Sequence, residues 1–191
     1  MSTNPPKSKQ IVDEAKRIEE DSLYSSKGHF YAGQCWSGVG LWLGCITAVL
    51  SAVAGTSALS KFDHSTTVAG SLAILVAVVT AIITFTNPNE KATLHKEAGN
   101  KYNSLKNDVR IFYEIEASIN EKEAIRKLKE LNGRRNQLNQ ESVQIPKWAF
   151  EKARVGIEDE EAEYQIDNQI NDEKKNKAPI IKTPGKSVKK V

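Results

Sequence analysis

The side chains best suited to chemistry are few and scattered. The three histidines, His29, His64 and His95, fall in separate segments, with none of the short spacings that bring two imidazoles onto one metal ion. Cys35 and Cys45 are the only thiols, too sparse for a disulfide scaffold, and they read as a free, buried pair. The run Glu19-Glu20-Asp21 has the charge to attract a cation, but on a helix it reads first as a solvated face. No phosphate-binding glycine loop and no nucleophile elbow occurs, so the sequence predicts no catalytic residue, no metal ligand set and no cofactor. His64 is expected in a loop, and His29 and His95 are expected to be ordinary polar residues. What remains is a pattern of hydroxyls: Thr47 with Ser51 and Thr80 with Thr84, each pair four residues apart and therefore on one helical face. Such hydroxyls either line a polar path or bond the carbonyl of their own preceding turn.

Those hydroxyls lie in a block unlike the rest of the chain. The sequence carries 27 basic and 24 acidic residues, yet between Gly38 and Thr86 the only charges are Lys61 and Asp63. A mean hydropathy of −0.47 therefore averages two unlike parts. Within the block, Val39 to Leu59 and Val68 to Phe85 are apolar runs of 21 and 18 residues. As helices they would reach ~32 and ~27 Å, close to the ~30 Å hydrocarbon thickness of a bilayer. The pattern predicts a transmembrane hairpin over 38–86, turning at Ser60 to Thr67. Small residues recur at steps of four, Gly40, Gly44, Ala48 and Ala52 in the first run and Ala69, Ala73, Ala77 and Ala81 in the second, and are predicted to pack helices closely. Lys16, Arg17 and Lys27 precede the hairpin, and Lys91, Lys96, Lys101, Lys106 and Arg110 follow it, while the turn has Lys61 beside Asp63. This balance predicts both termini in the cytoplasm. His29 and His95 are then expected near the cytoplasmic interface. The first thirty residues are polar and mixed in charge, so no cleaved leader is expected.

The flanking segments are helical in pattern. Ile11, Ala15, Ile18 and Ser22 share one face of an N-terminal helix within 1–37. Tyr24, Phe30, Tyr31, Trp36 and Trp42 are placed to meet the headgroup region. Asn87-Pro88-Asn89-Glu90 ends the second apolar run and has the makings of a helix start, with Asn87 as cap, Pro88 at the first position and Glu90 at the third. Beyond it, Ala98, Tyr102, Leu105, Val109, Phe112 and Ile119 form a stripe, and Asn120 caps a further helix whose Ala124, Leu128, Leu131 and Leu138 form another. These two helices, in 87–157, are expected to pack antiparallel on each other or on a neighbouring copy. Trp148 and Phe150, after Ile145-Pro146, can pack on that hairpin or rest at the bilayer interface, and the acids around them favour packing. Residues 158–191, rich in charge and poor in apolar side chains, are expected to be largely disordered. No strand pattern occurs, so the predicted class is an all-α membrane protein. A net charge of +3 and a pI near 8.7 are too weak and too mixed to predict a nucleic-acid groove.

The ordered combination EEDSLYSSKGHFYAGQCWSGVGLWLG, two apolar runs, NPNEKATLHKEAGNKYNSLKNDVRIF and ELNGRRNQLNQESVQIPKWAFEKA resembles the SLATT family. These are two-helix membrane effectors associated with SMODS nucleotidyltransferases and SLOG domains. The resemblance runs from about Ile11 to Ile157. It implies an oligomeric effector that permeabilises the inner membrane in a nucleotide-activated prokaryotic antiviral system, acting by abortive infection. It also implies a nucleotidyltransferase or sensor protein as partner. The residues alone are equally served by a passive anchor or scaffold that recruits a cytoplasmic enzyme. Charge is absent from both apolar runs, which argues against a selective transporter.

Overall fold

The computed structural model describes residues 7–116 and 120–158, and all the regular structure in them is helical. Ile119 and the tail expected to be disordered lie outside them. The elements are α1 (Lys7–Leu59), α2 (Ser65–Thr86), α3 (Pro88–Ile111), a single π-helical turn (Phe112–Glu116), α4 (Glu121–Glu141) and α5 (Lys147–Glu158). The chain divides into two compact units, Met1–Val155 and Gly156–Val191. Of the second, the structure describes only the last residues of α5.

α1 is one uninterrupted helix of 53 residues, ~80 Å long, and it passes without a break through the boundary at residues 37 and 38. α2 and α3 run back along it, α2 on its apolar half and α3 on its polar half. Why the rods stay together is visible in the spacing of the covered residues. On α1, beside the buried Ser26, Gly28 and Gly33, a line of covered residues runs through Ile11, Ala15, Ile18, Ser22, Ser25, His29, Ala32, Trp36, Gly40, Leu43, Thr47, Leu50, Ala54 and Ser57. Steps of three and four alternate almost throughout, which is the heptad rhythm of helices winding around each other. The same rhythm gives α2 its covered residues, Ser65, Ala69, Leu72, Val76, Val79, Ile83 and Thr86.

Asn87 is the joint between α2 and α3. It takes a left-handed conformation (φ 41°), which asparagine tolerates, and its N–H donates to the Ile83 carbonyl, closing α2. The expected side-chain cap does not form. Asn87 Nδ2 instead donates to the Glu90 carboxylate, while Pro88 opens α3 as predicted. Asn120 does cap α4 through its side chain, which accepts from the Lys122 N–H at 3.0 Å.

The core lies in the polar half. Ile11, Ala15 and Ile18 of α1 meet Tyr102, Leu105, Val109 and Phe112, with Ala124, Leu131 and Leu138 of α4 completing the cluster and Leu128 partly buried against it. The α3 stripe thus has two partners, since the start of α1 joins α4 in covering it. Glu19 and Asp21 are engaged in this body: Glu19 accepts from the Tyr113 hydroxyl at 2.9 Å, and Asp21 pairs with Arg135 at 2.9 Å. α5 buries Ala149 and Ala153 completely, while Trp148 stays about half exposed. Phe150 reaches only the edge of the body, its ring 6.2 Å from that of Tyr24. Phe30, expected at the headgroups, lies instead on Gly99, where a Cβ would sit 3.0 Å from the ring.

Two glycines should respond in opposite directions. Gly133, in the middle of α4, faces open space, so Gly133→Ala is expected to raise stability by ~1 kcal/mol through helix propensity alone. Gly99→Val forces the Phe30 ring off α3 and is expected to cost about 2 kcal/mol. Thermal unfolding followed by circular dichroism measures both, and a Gly99→Val protein as stable as its parent would disprove the close α1–α3 packing.

Candidate functional site

Two features have the geometry to act: the outer surface of the α1–α2 hairpin and a buried imidazole pair beneath it. The hairpin comprises two helices long and apolar enough to cross a membrane. Their apolar surface faces outward, with Leu41 68%, Trp42 71%, Ile74 67% and Phe85 89% exposed, and no residue of α2 is buried. Monomeric soluble proteins rarely expose a contiguous apolar surface of this kind.

The small residues divide between seam and surface. Gly40 and Ala69 lie in the seam, and a Cβ at Gly40 would meet the end of the Asn89 side chain. Gly44, Ala48, Ala52, Ala73, Ala77 and Ala81 are on or near the outside. The reason is rotation: at ~100° per residue, a step of four advances ~40° around the helix, so a four-step stripe leaves the seam within two or three steps. What replaces it is more orderly. Gly44, Ala48, Ser51 and Gly55 on α1, and Ala73, Ala77, Thr80 and Thr84 on α2, follow steps of four, three and four and are all exposed. Each set is centred ~90° around its helix from the seam in the same rotational sense. Because the helices are antiparallel, equal rotations lead to the same side, so one face of the hairpin is lined by small side chains and hydroxyls. Val49, Val53, Val78 and Ile82 lie on the other.

The hydroxyls are not equivalent. Thr47 is in the seam and donates to the Leu43 carbonyl at 2.8 Å, the second of the two alternatives for such a hydroxyl. Thr84 donates to the Thr80 carbonyl at 2.9 Å. Ser51 and Thr80 expose hydroxyls that make no hydrogen bond among the described residues. Cys35 and Cys45 are free as expected, but both are exposed on α1 rather than buried.

Beneath the hairpin, the histidines expected to be ordinary polar residues are buried against each other. His29 Nδ1 and His95 Nδ1 are 3.0 Å apart, joining α1 to α3 by one hydrogen bond in which one ring donates and the other accepts. Tyr102 stacks on His29 with ring centroids 5.6 Å apart, and its hydroxyl donates to Asn139 Oδ1 at 2.7 Å, which extends the contact to α4. Ser26 donates to the Gly99 carbonyl at 2.9 Å, in the same layer. Burial, and secondarily the neighbouring His95, lowers the His29 pKa to about 4; burial lowers that of His95 as well. Burial raises the Tyr102 pKa, against a hydrogen bond with Ser142. Both rings are therefore neutral at neutral pH. Sequence spacing missed the pair because the two residues are 66 apart. The available signal was their position on the buried stripes, His29 seven residues after Ser22 and His95 seven before Tyr102.

Among the described residues, no three His, Cys, Asp or Glu side chains are grouped to hold a metal ion. A pocket of about 70 Å³ opens between α3 and the end of α4, lined by Leu94, Glu97, Lys101 and Glu141 among others. It has room for a few waters, far short of the ~300 Å³ at which sites enclose a whole small ligand. Family models, curated proteins and solved structures give no match to the chain.

The histidine pair predicts a pH dependence with a definite sign. In the unfolded chain each imidazole takes a proton near 6.5, whereas in the folded chain His29 does so only near 4, so the unfolded state binds more protons between these values. Stability is complete above pH ~6.5 and is lost as pH falls toward 4. Thermal midpoints in detergent should drop by several degrees from pH 7 to pH 4.5, and a His29→Phe/His95→Leu double variant should flatten that slope. An equal slope in both proteins would rule the pair out as its source.

Proposed function

We propose that the chain is a two-pass inner-membrane effector, with both termini in the cytoplasm, that oligomerises through the small-residue face of its hairpin and permeabilises the membrane. In this reading it belongs to a nucleotide-activated prokaryotic antiviral system and acts by abortive infection. The observation that carries the proposal is the two-sided hairpin. One side presents bulky aliphatic groups suited to lipid, and the other presents Gly44, Ala48, Ala73 and Ala77 with the unpaired hydroxyls of Ser51 and Thr80. An unpaired hydroxyl is costly in hydrocarbon, and small side chains allow the close backbone approach by which helices associate there. Both costs are relieved when hairpins turn these faces toward one another, and the enclosed surface is then the polar one.

The absence of charge in both apolar runs suits leakage rather than pumping. The helical body beneath is the natural receiver of an activating nucleotidyltransferase or sensor protein, as the SLATT resemblance implies. A passive anchor that recruits an enzyme has one observation in its favour: Trp148 and Val155 of α5 are each about half exposed.

Dye release from liposomes containing the purified chain separates the readings. With cyclic dinucleotides and a nucleotidyltransferase partner present, release is expected to exceed that of empty liposomes. Ala77→Leu is expected to lower it about tenfold, while Val78→Leu, on the bulky side, leaves it unchanged. Both positions are exposed in the single chain, so neither substitution disturbs the seam. Release at the empty-liposome level under every condition would leave the anchor reading standing.

A further inference from the structure

The cations of the body meet two kinds of partner. Lys7 pairs with Glu121 at 3.3 Å, Arg134 with Asp108 at 2.6 Å and Arg135 with Asp21 at 2.9 Å, whereas Lys16 lies over the Tyr113 ring and Lys152 over that of Tyr31. The cation nearest the hairpin is of the second kind. Lys91 has no carboxylate partner among the described residues; its Nζ stands 4.4 Å from the centroid of the Trp36 ring. The nearest acid in sequence, Glu90, is taken up by Asn87 Nδ2. Lys96, one helical turn further along α3, also has no acid partner, and its aliphatic stem lies against Gly33.

Position gives this arrangement its meaning. Trp36 is three residues before the first apolar run, and Lys91 is six after the second, so both stand within ~10 Å of the hydrocarbon edge if the hairpin spans a bilayer. That layer is where phosphates of lipid headgroups lie. An ammonium group over an indole face is held in place without having its charge neutralised. We propose that Lys91, seated on Trp36, binds the phosphate of an anionic phospholipid headgroup where α1 and α3 meet the hairpin. The ring fixes the height of the cation, and the lipid supplies the counter-charge that Lys91 lacks among the described residues. The site rests on the membrane reading, not on the effector reading.

The test uses the full chain in nanodiscs of phosphatidylcholine with a minority of phosphatidylglycerol, followed by mild extraction and quantitation of the lipid that stays bound. The parent chain is expected to retain phosphatidylglycerol preferentially, and Lys91→Gln to lower that preference roughly fivefold. Trp36→Leu, which removes the seat and keeps the cation, should lower it by a smaller factor. Lys127→Gln, in the ion-paired end beside Glu130, should leave it unchanged. Equal retention by the parent and Lys91→Gln would overturn the proposal. So would loss of the preference on adding excess inorganic phosphate, which would assign the cation to solvent. A chain that fails to enter the discs at all would overturn the membrane reading and the lipid site with it, an outcome distinct from entry without preference.

Discussion

The seam along α1 is the constraint on which the molecule depends. One helix carries covered residues in heptad rhythm from Ile11 to Ser57, and every other part of unit 1 is placed by reference to it. The rhythm is constant while the chemistry changes along it. In the polar half the seam is filled by Ile11, Ile18 and the α3 core residues, so burial from water holds it together. Toward the hairpin it narrows to Ser22, Ser26, Ala32 and Gly33 opposite Ala92, Ala98 and Gly99, and contact becomes close enough for a hydroxyl to reach a backbone carbonyl. In the apolar half the large aliphatic groups are more numerous outside the seam than within it. There the seam confers no separation of apolar from polar, and packing alone fixes which side of each helix faces its partner.

Nearly all of the helices were legible in the sequence, and the reason is that periodicity survives any environment. Tyr102, Leu105, Val109 and Phe112 could be placed on one face before the partner was known, and they are buried. The partner was not legible, because a stripe records that something covers it and not what does. α3 is therefore covered by α1 as well as by α4. The apolar runs posed the opposite problem. There nearly every residue is apolar or small, so spacing could not distinguish seam from surface, and the regular steps of four suggested one face where rotation spreads the residues over about a third of the circumference. Thr47 in the seam and Ser51 outside it, four residues apart, show how fast that rotation acts.

The histidine pair was hidden for a related reason. A histidine on a buried stripe is rare enough to be informative, but His29 stands among Lys27, Gly28 and Phe30, where the stripe is carried by glycine and serine rather than by large aliphatic groups. Hydropathy reads such a stretch as polar surface. The buried layer here is built from Ser26, His29, His95, Gly99 and Tyr102, and it satisfies its polar groups internally instead of excluding them. A polar layer between an aliphatic core on one side and a lipid-like hairpin on the other fixes the register of α1 against α3, since a slip of one residue would separate the two imidazoles and leave both without a partner.

That layer also bears on how the body and the hairpin communicate under the effector reading. α1 passes through the boundary as unbroken helix, so a movement of its polar half is carried into the apolar half without a hinge to absorb it. The return path is different: α2 and α3 meet at Asn87, a single left-handed residue held by one backbone hydrogen bond on each side. Two rods joined rigidly on one side and pivoted on the other convert a displacement of α3 into a change of angle between α2 and α3. Because α2 is held to α1 only by packing among small and aliphatic groups, that change alters which part of the small-residue face is presented to a neighbouring hairpin. Coupling of this kind requires no ligand within the hairpin, only a partner that binds the body differently in its two arrangements.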